Sequence, residues 1–67
     1  MLATQLRSFY AVATTGSFTS AAQLLNISQP TVTTQVRNLE KNYGVELFYR
    51  HARGSQLTEV GKQLLSI

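Results

Sequence analysis

Residues 28–43 read SQPTVTTQVRNLEKNY, and two patterns lie over each other in them. Val32, Val36, Leu39 and Tyr43 recur at steps of four, three and four, which lines them along one face of a helix. The other face lacks the Lys and Glu that a solvated helix usually shows to water. Its first half carries Gln29, Thr31, Thr33, Thr34 and Gln35, short or uncharged groups that donate and accept hydrogen bonds. Ser28 is suited to cap this helix. Pro30 in the first turn costs little, because the amide that proline lacks would have been unpaired there anyway. The pattern predicts a helix from about residue 29 to 42, ending before Gly44, where a residue free to take positive φ is the usual stop.

Upstream, Leu2, Leu6, Phe9 and Ala13 repeat at four, three and four and predict a first amphipathic helix over about residues 2–14, closed by Gly16. A short second helix follows in SFTSAAQLLN, with Ser17 and Thr19 as candidate cap hydroxyls and Asn26 as its stop. Ala21 and Ala22 are the small residues that steep helix crossing needs, and Ile27 in the turn is placed to plug the gap. Downstream, VELFYRHARGSQLT contains two short β-rich runs around ARGS, with Gly54 to make the turn, and predicts a hairpin with a basic tip. Thr58 then caps a fourth helical stretch carrying Leu64, Leu65 and Ile67, with Glu59 in its first turn beside the positive end of the dipole. Two helices joined by a three- to four-residue turn and followed by a hairpin make a mainly α winged helix-turn-helix. Its three helices and wing occupy 1–57, and 58–67 reads as the start of a fourth, truncated linker helix.

Composition narrows the function. Hydrophobic residues make up 43% of the chain and charged ones 13%, which favours a folded core over a disordered tail. No apolar run approaches the about 20 residues of a membrane span, and no secretory segment precedes the amphipathic pattern, so a cytoplasmic, membrane-free setting is expected. Without Cys or Asp, and with one His and three scattered Glu, neither a catalytic triad nor a metal cluster can be assembled, and an enzyme is not expected. Six Lys or Arg against three Glu give a net charge of +3, and the placement matters more than the total. Arg37, Lys41, Arg50 and Arg53 lie in the second half, whereas the first 36 residues hold only Arg7.

The stretch from Phe9 to Gly61 resembles the DNA-binding domain of the LysR-type bacterial transcriptional regulators. The resemblance is carried by GSFTSAAQLLNISQPTVT, by Leu39-Glu40, by Gly44-Val45-x-Leu47-Phe48-x-Arg50 and by Leu57-Thr58-x-x-Gly61. It implies an N-terminal winged helix-turn-helix joined by a long linker helix to a two-lobed effector-binding domain. No cofactor is implied for this stretch, because a small-molecule effector would bind that second domain. The implied partner is double-stranded DNA at an interrupted inverted repeat, bound by a homodimer or higher homo-oligomer of the full-length protein. In the family the third helix enters the major groove, with the positions matching Gln29, Pro30, Thr31, Thr33 and Thr34 near base edges and phosphates. The position matching Arg53, in the wing, reaches the minor groove or the backbone. Thr33 stands where the family commonly has Ser, and Thr34 where many members carry a long basic residue.

The chemistry of the same residues agrees. Gln29 has an amide able to pair with N6 and N7 of adenine, or to reach guanine acceptors with its NH₂. Pro30 and Thr31 offer apolar surface to a thymine methyl group, and Thr33 and Thr34 offer hydroxyls to phosphate or base. Arg37, a turn further on, suits phosphate, with an ion pair to Glu40 as the structural alternative. Arg50 suits either phosphate or a tie between the wing and the helices. Thr19 and Ser28 cap helices whose first amides would also favour a phosphate. A winged helix can instead serve as a protein-interaction module, for which a basic surface and an apolar fourth helix would suffice.

Overall fold

The computed structural model describes residues 2–51 and 54–67. Among the described residues the order is α1 (Leu2–Thr15), α2 (Phe18–Leu25), α3 (Gln29–Tyr43), β1 (Phe48–His51), β2 (Gly54–Leu57) and α4 (Glu59–Leu65). Each helix ends where the sequence supplies a terminating group. Gly16 takes a φ of 80°, and its amide donates to the Val12 carbonyl at 2.8 Å, closing α1. Ser17 is extended and accepts from the Ser20 amide at 2.9 Å, so it is the cap of α2. Thr19 is not a cap. It lies inside the first turn of α2 and is exposed, because the extended backbone a cap requires has already been supplied by Ser17.

Asn26 and Gly44 do the same work at the other ends. Both are left-handed, at φ 58° and 65°, and the amides that follow them, Ile27 and Val45, donate back to Ala22 and Glu40 carbonyls at 3.0 and 3.1 Å. This six-to-one closure satisfies carbonyls that the helix end would leave orphaned. Ile27 does not plug the helix-turn-helix gap, since it remains 38% exposed. The buried residues of α2 and of the start of α3 are instead Ala21, Ala22 and Val32.

Phe9 and Val12 from α1, Ala21 from α2, and Val32, Val36 and Leu39 from α3 are fully buried. The spacing read on α3 is therefore the core stripe as far as Leu39, whereas on α1 only Phe9 of the expected stripe is fully buried: Leu2 is 50% exposed, Leu6 and Ala13 are partly buried, and Ala11 and Val12 are the buried neighbours of Phe9. Tyr43, the fourth member of that stripe, is 60% exposed, because the last turn of α3 runs past the core. Phe48 of β1 completes an aromatic cluster, with ring centroids 5.5 Å from Phe9 and 5.7 Å from Phe18. Each fully buried side chain of this kind contributes about 1.5–3 kcal/mol. α1 also docks on α3 through two polar bridges. Ser8 donates to Gln35, and Asn42 donates to Gln5 at 3.4 Å, where both Ser8 and Gln5 are buried.

β1 and β2 pair antiparallel in the register Phe48 with Leu57 through His51 with Gly54. Gly54 therefore opens β2 rather than forming the turn, and residues 52–53, which connect the strands, lie outside the described residues. Thr58 joins the wing to α4. Its hydroxyl donates to the Glu46 carbonyl at 2.6 Å and accepts from the Gly61 amide at 3.0 Å. Ile67 is not on α4, which ends at Leu65.

Gly61 is where α4 meets the strand entry. A Cβ there would land on the Leu47 carbonyl oxygen and 2.8 Å from Leu57 Cδ2, so only hydrogen fits. Gly61→Ala is expected to lower the urea-unfolding free energy by about 1–3 kcal/mol through overpacking. The opposite is expected at Ser55, whose Oγ is buried with no hydrogen-bond partner among the described residues. Ser55→Ala removes an unsatisfied group, and the same unfolding measurement should find it neutral or stabilising.

Candidate functional site

The first two turns of α3 carry the residues singled out by the sequence. Ser28, Gln29, Pro30, Thr31, Thr34 and Arg37 are exposed, and Thr33 is half-buried at the edge of the face. Pro30, Thr34 and Arg37 fall at steps of four and three and so share one side of the helix, opposite Val32, Val36 and Leu39. Ser28 caps α3 from an extended backbone, accepting from the Thr31 amide at 3.3 Å, and its hydroxyl lies 2.7 Å from that of Thr31. The two hydroxyls thus form a fixed pair at the helix start. Thr19 is also exposed, in the first turn of α2.

The electrostatics of this face are simple. No acidic residue stands in the first turn of α3, and the three carboxylates of the chain are Glu40, Glu46 and Glu59. Arg37 is exposed and takes no part in an ion pair among the described residues. From Gln29 to Arg37 the helix rises about 12 Å. That is close to the roughly 12 Å width of the B-DNA major groove, which admits a helix and offers donors, acceptors and methyl groups to side chains of this kind.

Glu40 does not pair with Arg37. One of its oxygens, Oε2, accepts the Leu47 amide at 2.7 Å and the Phe48 amide at 3.3 Å, and the other lies 3.5 Å from Arg50 Nη2. Arg50 also lies over the Phe18 ring, with its guanidinium carbon 4.8 Å from the centroid. Its side chain is 35% exposed, so the structure places it as a tie between wing, α3 and α2, with one edge open to solvent. Arg53, the wing residue singled out by the sequence, lies outside the described residues.

Two features escaped the sequence reading. Gln35 belongs by period to the polar face but turns toward α1, where it accepts from Ser8. The signal lay in α1: Gln5 and Ser8 stand one turn apart beside the apolar stripe, opposite Gln35 and Asn42 two turns apart. Glu40 as an acceptor for strand amides had no signal in composition or period. Among the described residues, no group of His and Glu is placed to hold a metal ion, and no helix is long and apolar enough to cross a membrane.

Residues 3–62 match the family described as bacterial regulatory helix-turn-helix protein, lysR family. The chain is 51% identical over 61 residues to the HTH-type transcriptional regulator TfdT of Cupriavidus pinatubonensis, covering 91% of this chain and 27% of that relative. The chain thus spans about a quarter of that relative's length. Among solved structures, that of a CbnR DNA-binding domain complexed with DNA superposes with a TM-score of 0.90 at 44% identity, covering 92% of this chain and 71% of that one. That of a BenM DNA-binding domain on a catB site gives 0.91 at 38% identity, covering 98% and 73%.

The carboxylate of Glu40 can be tested directly. Glu40→Ala strands the Leu47 and Phe48 amides and is expected to cost about 1–3 kcal/mol in urea unfolding. Glu40→Gln keeps an acceptor and should cost less. Hydrogen exchange at those two amides should speed up in the alanine variant.

Proposed function

The chain belongs to the lysR family of bacterial regulatory helix-turn-helix proteins, and on that premise we propose that it is the sequence-reading, duplex-DNA-binding domain of a transcriptional regulator. The observation that carries the reading is the outer face of α3, where an amide, hydroxyls and one arginine stand exposed with no carboxylate among them. Gln29 and Thr33 contact base edges, Pro30 and Thr31 pack on a thymine methyl group, Thr34 contacts phosphate or base, and Ser28 and Arg37 contact phosphate. Thr19, exposed on the first turn of α2, contacts the backbone. Arg53 is assigned to phosphate or the minor groove on its place in the sequence, and Arg50 to holding the wing with its open edge toward the backbone.

The regulator acts in the cytoplasm as a homodimer on an interrupted inverted repeat, one α3 to each half-site, with half-sites spaced by about one helical turn or its multiples. An apolar groove of about 380 Å³ between the end of α3 and α4 supports pairing. Tyr43, Val45, Leu47, Val60, Leu64 and Ile67 line it, and Tyr43, Val60 and Ile67 are exposed. The domain needs no cofactor and performs no catalysis. In the longer protein an effector would act through a separate domain.

Selection of bound molecules from a pool of random-sequence duplexes tests the reading. An enriched half-site is expected, which Gln29→Ala or Thr33→Ala blurs at one or two positions. Arg37→Ala should weaken every sequence alike and lower the slope of log K against log salt by about 1. Binding without enrichment, lost by moderate salt, would leave only a basic surface and would favour a protein-interaction module.

A further inference from the structure

Gln35 stands apart from the exposed face of α3. It lies on the flank that meets α1, one position after Thr34 and two before Arg37. Ser8, 1% exposed on α1, donates its hydroxyl to Gln35 Oε1. A carboxamide has an accepting end and a donating end. With Oε1 held inward by Ser8, Nε2 is turned the other way with both of its N–H groups.

Nε2 makes no hydrogen bond to another described residue, and it is not among the buried polar atoms left without a partner. Gln35 is half-buried and its Nε2 is not enclosed, so the donating end reaches solvent at the edge of the α1–α3 contact. The second polar bridge between α1 and α3 is arranged in the opposite sense. There Asn42, exposed on α3, donates one N–H of its Nδ2 to Oε1 of the buried Gln5 on α1, 3.4 Å away. Bracing two helices explains the Gln5–Asn42 pair fully. In the Ser8–Gln35 pair the unused amide donors belong instead to α3, the helix that carries the exposed polar face.

When a helix lies in the major groove, its outermost side faces base edges and its flanks face the groove walls, which are sugar and phosphate. We propose that Ser8 holds Gln35 as a donor clamp for a phosphate oxygen of the duplex, on the strand bordering α1. Gln35 is then a DNA-contacting residue, and Ser8, which touches no DNA, is its positioning residue. The clamp is neutral and carries no base information, so it adds affinity without adding salt dependence. The assignment rests on the reading that α3 enters the groove.

The test is a double-mutant cycle in this chain with Gln35→Met, Ser8→Ala and both changes. Binding is measured on the enriched duplex and on an unrelated one at several salt concentrations, with urea unfolding of each variant alongside. Gln35→Met is expected to weaken both duplexes by about three- to tenfold, the worth of one hydrogen bond, with the salt slope unchanged. Ser8→Ala should cause a smaller loss alone and none in the Gln35→Met background, because it acts only through the amide it orients. Gln35→Glu keeps the acceptor for Ser8 and removes the donors, so it should fold as well as wild type and bind at least as weakly as Gln35→Met.

Three results would overturn the clamp while leaving the DNA reading intact. Wild-type affinity in Gln35→Met, with lowered stability, would make the pair a brace alone. A loss confined to the enriched duplex would make Gln35 a base reader. Fully additive losses would mean that Ser8 does not work through Gln35. A wild-type chain that binds neither duplex would instead overturn the reading beneath the proposal, and the proposal with it.

Discussion

Between the end of α3 and the start of β1 the chain must reverse within residues 44–47, and the amides that lead into the wing need acceptors there. Glu40 supplies them. Its backbone carbonyl takes the Val45 amide at 3.1 Å, and its carboxylate takes the Leu47 and Phe48 amides while facing Arg50. Leu47 and Phe48 are buried as a result, and Phe48 closes the aromatic cluster with Phe9 and Phe18. Because Glu40 lies on α3 itself, α3 and the wing are fixed to each other by one side chain as well as through the core. Thr58 and Gly61 then fix the far side of the wing to α4.

This arrangement also sorts the charges. Of the three carboxylates, the least exposed is committed to strand amides and to Arg50, and none stands on the first two turns of α3. The outer face is therefore free of groups that would repel a polyanion, without being crowded with lysines that would bind any polyanion equally. Hydroxyls and amides discriminate among base edges, whereas a point charge chiefly measures phosphate density. Arg37, at the end of that face, supplies the electrostatic part without interrupting it.

Much of the fold could be read from the chain because local signals agreed with the global packing. The stripe Val32, Val36, Leu39 is the core, Ser28 and Thr58 cap where they should, and Gly44 ends α3. The misplacements have common causes. Thr19 and Ser17 were equivalent as hydroxyls, and only backbone conformation selects Ser17. Tyr43 kept the period of the stripe after the core had ended, and Ile27, assigned to the helix-turn-helix gap, stays exposed. For the site, the exposed residues of α3 followed from helical period. The direction in which Gln35 turns, and the partner of Glu40, depend on residues distant in sequence, so period and composition could not supply them.

On the proposed function, duplex DNA lies against the N-terminal half of α3. Backbone amide chemical shifts of the isotopically labelled chain, followed during titration with a duplex carrying the selected half-site, test it most directly. The largest changes are expected from Ser28 to Arg37, with a second set at the start of α2. Changes centred instead on Tyr43, Val60 and Leu64, with α3 before Arg37 unmoved, would contradict it.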